Sequence, residues 1–118
     1  MKPKRKILFV CTMNYQRSRT AEEVYRADER FEIRSAGVSK DAFATINLEN
    51  LTWADFIIVM EKNHRHKIRK RFKETYQNKR IICLYIADEF DFMEQELIRL
   101  IKGKFEYIYH TEMKSKLF

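Results

Sequence analysis

Three short apolar runs constrain the fold most: Lys6–Val10, Phe56–Met60 and Arg80–Ile86. An uninterrupted apolar run of this length is the mark of a strand buried on both faces. The stretches between them read as helices. Ser18–Arg30 carries Ala21, Val24, Tyr25 and Asp28 at helical spacing, and His64, Ile68, Phe72 and Tyr76 recur every four residues. Phe92–Tyr109 sets Met93, Leu97, Leu100, Ile101, Phe105 and Ile108 on one helical face. Phe31–Arg34 alternates with period two, a further strand ended by Ser35-Ala36-Gly37. Asp41–Thr52 is weakly patterned and is expected to hold one short helix ending near Trp53. The order βαβ(α)βαβα predicts an α/β fold, with a parallel sheet, helices on both faces and right-handed crossovers.

Composition excludes several classes. With 118 residues the chain is expected to be one domain, 1–118, and 45% hydrophobic residues are enough for a core. No run approaches the roughly 18 apolar residues of a membrane span. Met1–Lys6 is basic but leads into only four apolar residues, Ile7–Val10, too few for a signal peptide. A cytoplasmic protein without a membrane partner is the expectation. Two cysteines make no disulfide framework. A net charge of +7 favours anionic partners without choosing among them.

In parallel α/β sheets, ligands bind beyond the carboxyl ends of the strands. The first such segment is Cys11-Thr12-Met13-Asn14-Tyr15-Gln16-Arg17-Ser18. A loop wrapping onto a helix N-terminus turns backbone N–H groups into a concavity that suits a tetrahedral oxyanion. Arg17 is placed to hold two of the anion's oxygens. A cysteine at the centre of such a positive field is a nucleophile candidate. The competing reading is a small buried core cysteine.

These residues resemble the opening of the low-molecular-weight protein tyrosine phosphatases, closest to the short bacterial branch of that family. The family pattern is an apolar strand followed by Cys-x-Gly-Asn-x-Cys-Arg-Ser-Pro. Thr20-Ala21-Glu22 is similar to the start of the family's first helix, and Ser35-Ala36-Gly37 to the turn after its second strand. Trp53–Glu61 resembles its third strand, and Ile86-Ala87-Asp88-Glu89-Phe90 its acid loop. The resemblance implies a three-layer sandwich with a four-stranded parallel sheet in the order 2-1-3-4. It implies a metal-independent, cofactor-free phosphomonoester hydrolase working through a cysteinyl-phosphate. The implied partners are a phosphotyrosine protein or small aryl phosphate, and inorganic phosphate.

The implied roles are carried over residue by residue. Cys11 is the nucleophile, Arg17 the phosphate-binding arginine and Asp88 the general acid. Thr12, Met13, Asn14, Tyr15, Gln16 and Ser18 complete the phosphate loop. The Ser18 hydroxyl bonds the thiolate, and Ser35 supports Asn14. Tyr15 and Phe90 are candidates for lining the substrate pocket, with core packing the alternative for Phe90. An acidic rate optimum, about pH 5–6.5, follows from a thiolate working with a protonated acid.

Four departures stand out. Met13 replaces the loop glycine, Gln16 the second loop cysteine, Arg19 the proline, and Glu89 the proline after the acid. Glycine takes backbone angles that methionine takes only with strain, so either a reshaped loop or a methionine walling the pocket is expected. Glu89 either perturbs Asp88 or faces solvent. Cys83 lies mid-strand and reads as core, which disfavours disulfide-relay chemistry. His64 and His66 lack the i, i+4 spacing of a helical metal site, so no metal is expected. The basic stretch Lys62–Lys73 reads as a solvated face, or else as a patch for an acidic partner; no nucleic-acid motif accompanies it. A catalytically impaired phosphate-binding module of the same fold is the alternative function.

Overall fold

Ile7, Leu8, Phe9 and Val10 are fully buried and Cys11 nearly so. This is what a central strand covered by helices on both faces requires. The computed structural model describes residues 3–114. Its elements are β1 (Arg5–Cys11), α1 (Arg17–Tyr25), β2 (Phe31–Gly37), α2 (Leu48–Trp53), β3 (Phe56–Val59), α3 (Lys62–Arg71), α4 (Lys73–Gln77), β4 (Arg80–Cys83) and α5 (Gln95–Ile108). A π-helical turn, Tyr109–Met113, follows α5. The sheet order is β2-β1-β3-β4 and every pairing is parallel.

The period of two along β1 divides the core. Ile7, Phe9 and Cys11 face a cluster with Ala21 and Tyr25 of α1 and Leu97, Ile101 and Phe105 of α5. Leu8 and Val10 face the opposite cluster, with Ile46, Leu51 and Ile68. Phe105 anchors the first cluster, with its ring 5.2 Å from Phe9 and 5.4 Å from Phe31. Burying each such ring stabilises the fold by about 1.5–3 kcal/mol. The same alternation puts the Cys11 side chain on the α1 side of the sheet.

Element ends differ from the sequence expectations for identifiable reasons. The helix expected over Ser18–Arg30 stops at Tyr25. The Asp28 carboxylate there accepts from the Arg30 backbone N–H and guanidinium, folding the chain into β2 instead. Ser35–Gly37 belongs to β2 itself, paired with Phe9–Cys11. The single helix expected through His64 and Tyr76 breaks at Phe72, whose φ of −130° and ψ of 53° are not helical. The ladder of β4 ends at Cys83, although Leu84 and Ile86 still donate to the Val59 and Met60 carbonyls. Between them Tyr85 takes a left-handed φ of 57° and projects into solvent. The last helix begins at Gln95 rather than Phe92, after Met93 adopts a φ of 62°.

Candidate active site

The loop from Cys11 to Arg17 is held from outside. The carbonyls of Cys11, Thr12 and Met13 accept from the backbone N–H groups of Val38, Ser39 and Phe43 at 2.9, 3.0 and 2.9 Å. A trans peptide points its C=O and N–H in opposite directions. The N–H groups of Thr12, Met13 and Asn14 therefore turn away from the 38–43 segment, into the concavity. The Asn14 N–H reaches the Cys11 Sγ at 3.3 Å. Gly37 permits this close approach: a Cβ there would stand 2.6 Å from the Thr12 carbonyl oxygen.

A polar chain runs behind the sulfur. Asn14 is buried with a left-handed φ of 61°, a conformation asparagine adopts at low cost. Its Nδ2 donates to the Ser18 Oγ at 2.6 Å and to the Ser35 Oγ at 2.9 Å. The Ser35 hydroxyl donates in turn to Glu22 Oε1 at 2.5 Å. With its oxygen accepting from Asn14, the Ser18 hydroxyl lies 3.0 Å from the Cys11 Sγ and 3.4 Å from the Ala36 carbonyl, and its proton turns to the sulfur when the sulfur is a thiolate. Two donors thus converge on the sulfur once it is ionised.

Arg17 is fixed from the other side of the sheet edge. It is 1% exposed, and its Nη1 donates to Glu61 Oε2 at 2.5 Å and to the Ile86 carbonyl at 2.7 Å. These bonds occupy both Nη1 protons and leave the Nε and Nη2 edge for an anion. Asp88 Oδ1 lies 3.7 Å from the Nε, and the Asp88 side chain is 59% exposed. A bound oxyanion and the acid would meet on that edge.

Glu61 is the N-cap of α3 and shares a capping box with His64, whose Nδ1 accepts from the Glu61 N–H at 3.0 Å. The neutral ring then carries its proton on Nε2, which donates to the Thr12 Oγ1 at 2.9 Å. Burial, then the charge of Arg17, lowers the His64 pKa to about 4 and keeps this tautomer neutral.

The structure brings Cys11, Asn14, Arg17, Ser18, Ser35 and Asp88 together, with Thr12 tied to α3 and Gln16 at the N-cap of α1. Tyr15 is exposed, its ring 6.4 Å from that of Phe43. Phe90 instead packs against the interior cluster beside α5, because the acid loop turns it inward; the exposed ring on that side is Phe92. Glu89 is exposed. Burial pushes the Cys83 thiol up, as fits a core residue. Glu22, Glu61 and His64 are the network members that the sequence reading assigned no role. Their signal is position alone: each lies in or just after a segment following a strand or the loop.

No protein-family model matches the sequence, and no curated protein matches it. Solved structures do. The YwlE arginine phosphatase from Geobacillus stearothermophilus superposes with a TM-score of 0.70 at 24% identity, over 95% of this chain and 97% of that one. The low molecular weight protein tyrosine phosphatase SP-PTP from Streptococcus pyogenes gives 0.73 at 18%, over 96% and 97%. The tyrosine phosphatase Wzb from Escherichia coli gives 0.75 at 18%, over 93% and 99%. The fold is that of the low-molecular-weight protein tyrosine phosphatases.

Within that phosphatase fold, the change of loop glycine to Met13 costs no left-handed strain. Among the described residues the positive-φ positions are Asn14, Tyr85 and Met93, and Met13 is not one of them. The replacement of proline by Arg19 places a cation between two exposed rings, 4.9 Å from the Phe43 centroid and 4.8 Å from that of Phe92.

Proposed function

We propose that the protein is a phosphomonoester hydrolase, acting on phosphotyrosine or a related aryl phosphate through a cysteinyl-phosphate. The observation that carries this reading is the sulfur of Cys11, held by the Ser18 hydroxyl at 3.0 Å and the Asn14 N–H at 3.3 Å, above a buried arginine. Two donors stabilise a thiolate, both before attack and when it leaves. The fold neighbours described as tyrosine and arginine phosphatases support it, as does a YwlE mutant described as having a phosphorylated active site serine.

The chemistry follows from the residues. The phosphoryl group sits in the loop, with its equatorial oxygens on the inward N–H groups and on the Nε and Nη2 edge of Arg17. The Cys11 sulfur attacks phosphorus as the P–O bond to the leaving group breaks. Asp88 gives its proton to the leaving oxygen. In the second step Asp88 takes a proton from water, which attacks phosphorus and releases inorganic phosphate. The Ser18 hydroxyl stabilises the departing thiolate. Charge stabilisation comes from the loop and Arg17. The exposed rings of Tyr15 and Phe43 suit an aryl leaving group.

Hydrolysis of p-nitrophenyl phosphate without added metal, beside Cys11→Ser, tests the reading. Turnover abolished by that one change supports it. Absence of turnover in the folded wild type overturns it, and faster turnover of a phosphoarginine peptide than of a phosphotyrosine peptide would replace the substrate.

A further inference from the structure

Arg19 is half-buried, one residue past Ser18 in the first turn of α1. Its guanidinium bridges the two loops that rise on either side of the phosphate loop. One is the segment after β2, through Phe43; the other is the segment after the acid, through Phe92. Both rings are exposed, Phe43 by 66% and Phe92 by 42%. Tyr15 of the phosphate loop extends the strip through its contact with Phe43.

A cation–ring contact consumes no N–H donor in a hydrogen bond to an acceptor atom, so the guanidinium keeps its donors for one. Among the described residues those donors have no hydrogen-bond or ion-pair partner; the guanidinium meets the two rings and feels a more distant Glu23. Asp41, Glu89 and Asp91 lie on the same two loops, yet none pairs with it. The contrast with Arg17 is direct: that guanidinium is buried and partly committed to Glu61 and Ile86. Arg19 is therefore a second, separate cation, held in place by rings and uncommitted at its donor edge. Two rings flanking the guanidinium restrict its position and reduce the ordering cost of a contact at its donors.

We infer that Arg19 is a specificity residue, and that the mouth of the site takes a phosphotyrosine with an acidic residue beside it, the carboxylate pairing with the ring-stacked guanidinium. The inference rests on the phosphatase reading and adds the flanking sequence of its substrate. The Tyr15, Phe43 and Phe92 rings cover the apolar part of such a peptide, while Arg17 and the loop hold the phosphate.

The experiment uses the full chain carrying Cys11→Ser, titrated at low ionic strength with two phosphotyrosine peptides that differ only in Glu against Gln next to the phosphotyrosine. The expected result is about three- to tenfold tighter binding of the Glu peptide. The ratio falls to near one when Arg19→Gln is added, and Arg19→Lys keeps part of it. Equal affinities in the parent, no binding of either peptide, or a preference that survives Arg19→Gln would overturn the inference. Hydrolysis of p-nitrophenyl phosphate by the wild type is measured alongside. Turnover with equal peptide affinities rejects the role of Arg19 and leaves the phosphatase reading standing. No turnover with a Glu preference that depends on Arg19 does the reverse.

Discussion

The Nε2 of His64 donates to the Thr12 Oγ1 at 2.9 Å, joining the start of α3 to the residue that follows Cys11. The ring accepts from the Glu61 N–H at its Nδ1 only while neutral, and that bond fixes the proton on Nε2. A second proton on the ring would turn the Nδ1 acceptor into a donor against the Glu61 N–H, and burial and the charge of Arg17 outweigh the opposing pull of Glu61 and Asp88.

This gives the stability of the protein a defined pH dependence. The unfolded chain binds a proton on this histidine near 6.5, the folded chain only near 4. Between those values the unfolded state holds more protons, so stability falls as pH drops from about 6.5 to 4. The loss reaches about 3 kcal/mol and then levels off. Urea unfolding across that window, compared with His64→Gln, checks it. An equal slope in both proteins would show that other groups carry the acid sensitivity.

Glu61 sets the plane of Arg17. Removing its charge in Glu61→Gln leaves the shape but weakens the contact at Nη1, so the remaining edge wanders. Inorganic phosphate is expected to inhibit about tenfold less well, a change of about 1.4 kcal/mol. An inhibition constant equal to that of the wild type would assign the positioning to the Ile86 carbonyl alone.

Asp88 stands 3.7 Å from the Arg17 Nε and in contact with solvent, which suits the acid role proposed for it. Asp88→Asn is expected to lower kcat on an aryl phosphate by about 100-fold or more. Burst kinetics should still show the first step with a good leaving group. A kcat within a factor of two would place the proton donor elsewhere.

Gly37 lies where β2 meets the loop, and Gly37→Ala drives a methyl into the Thr12 carbonyl and the Ala42 side chain, each 2.6 Å away. Overpacking of this kind costs about 1–3 kcal/mol. Chemical denaturation reads the loss, and weaker phosphate binding in the surviving fold reads the displaced loop. Unchanged stability would mean that the 38–43 segment moves aside freely.

Much of the fold is legible in the residues. β1 and β3 are buried on both faces, which leaves apolar runs that nothing else explains. The loop is legible because Cys11, Asn14, Arg17 and Ser18 are close in sequence. The supporting network is not. Glu61 and Arg17 are 44 positions apart, and His64 and Thr12 are 52 apart. In sequence His64 belongs to a four-residue stripe that continues through Phe72, and the stripe hides both the break at Phe72 and the use of the ring. Asp28 sits at helical spacing, yet its carboxylate is consumed by Arg30 in a turn. Side chains that bond their own backbone compete with helix, and periodicity does not register that competition.

The outward ties of Cys11, Thr12 and Met13 have a thermodynamic consequence. Three carbonyls clamped by Val38, Ser39 and Phe43 give the loop its shape before any anion arrives. The conformational entropy of that loop is surrendered when the chain folds, so little is left to lose when a ligand enters. Phosphate should accordingly bind with almost no change in amide exchange at Val38, Ser39 and Phe43, whose protection is set by the opening of the fold itself.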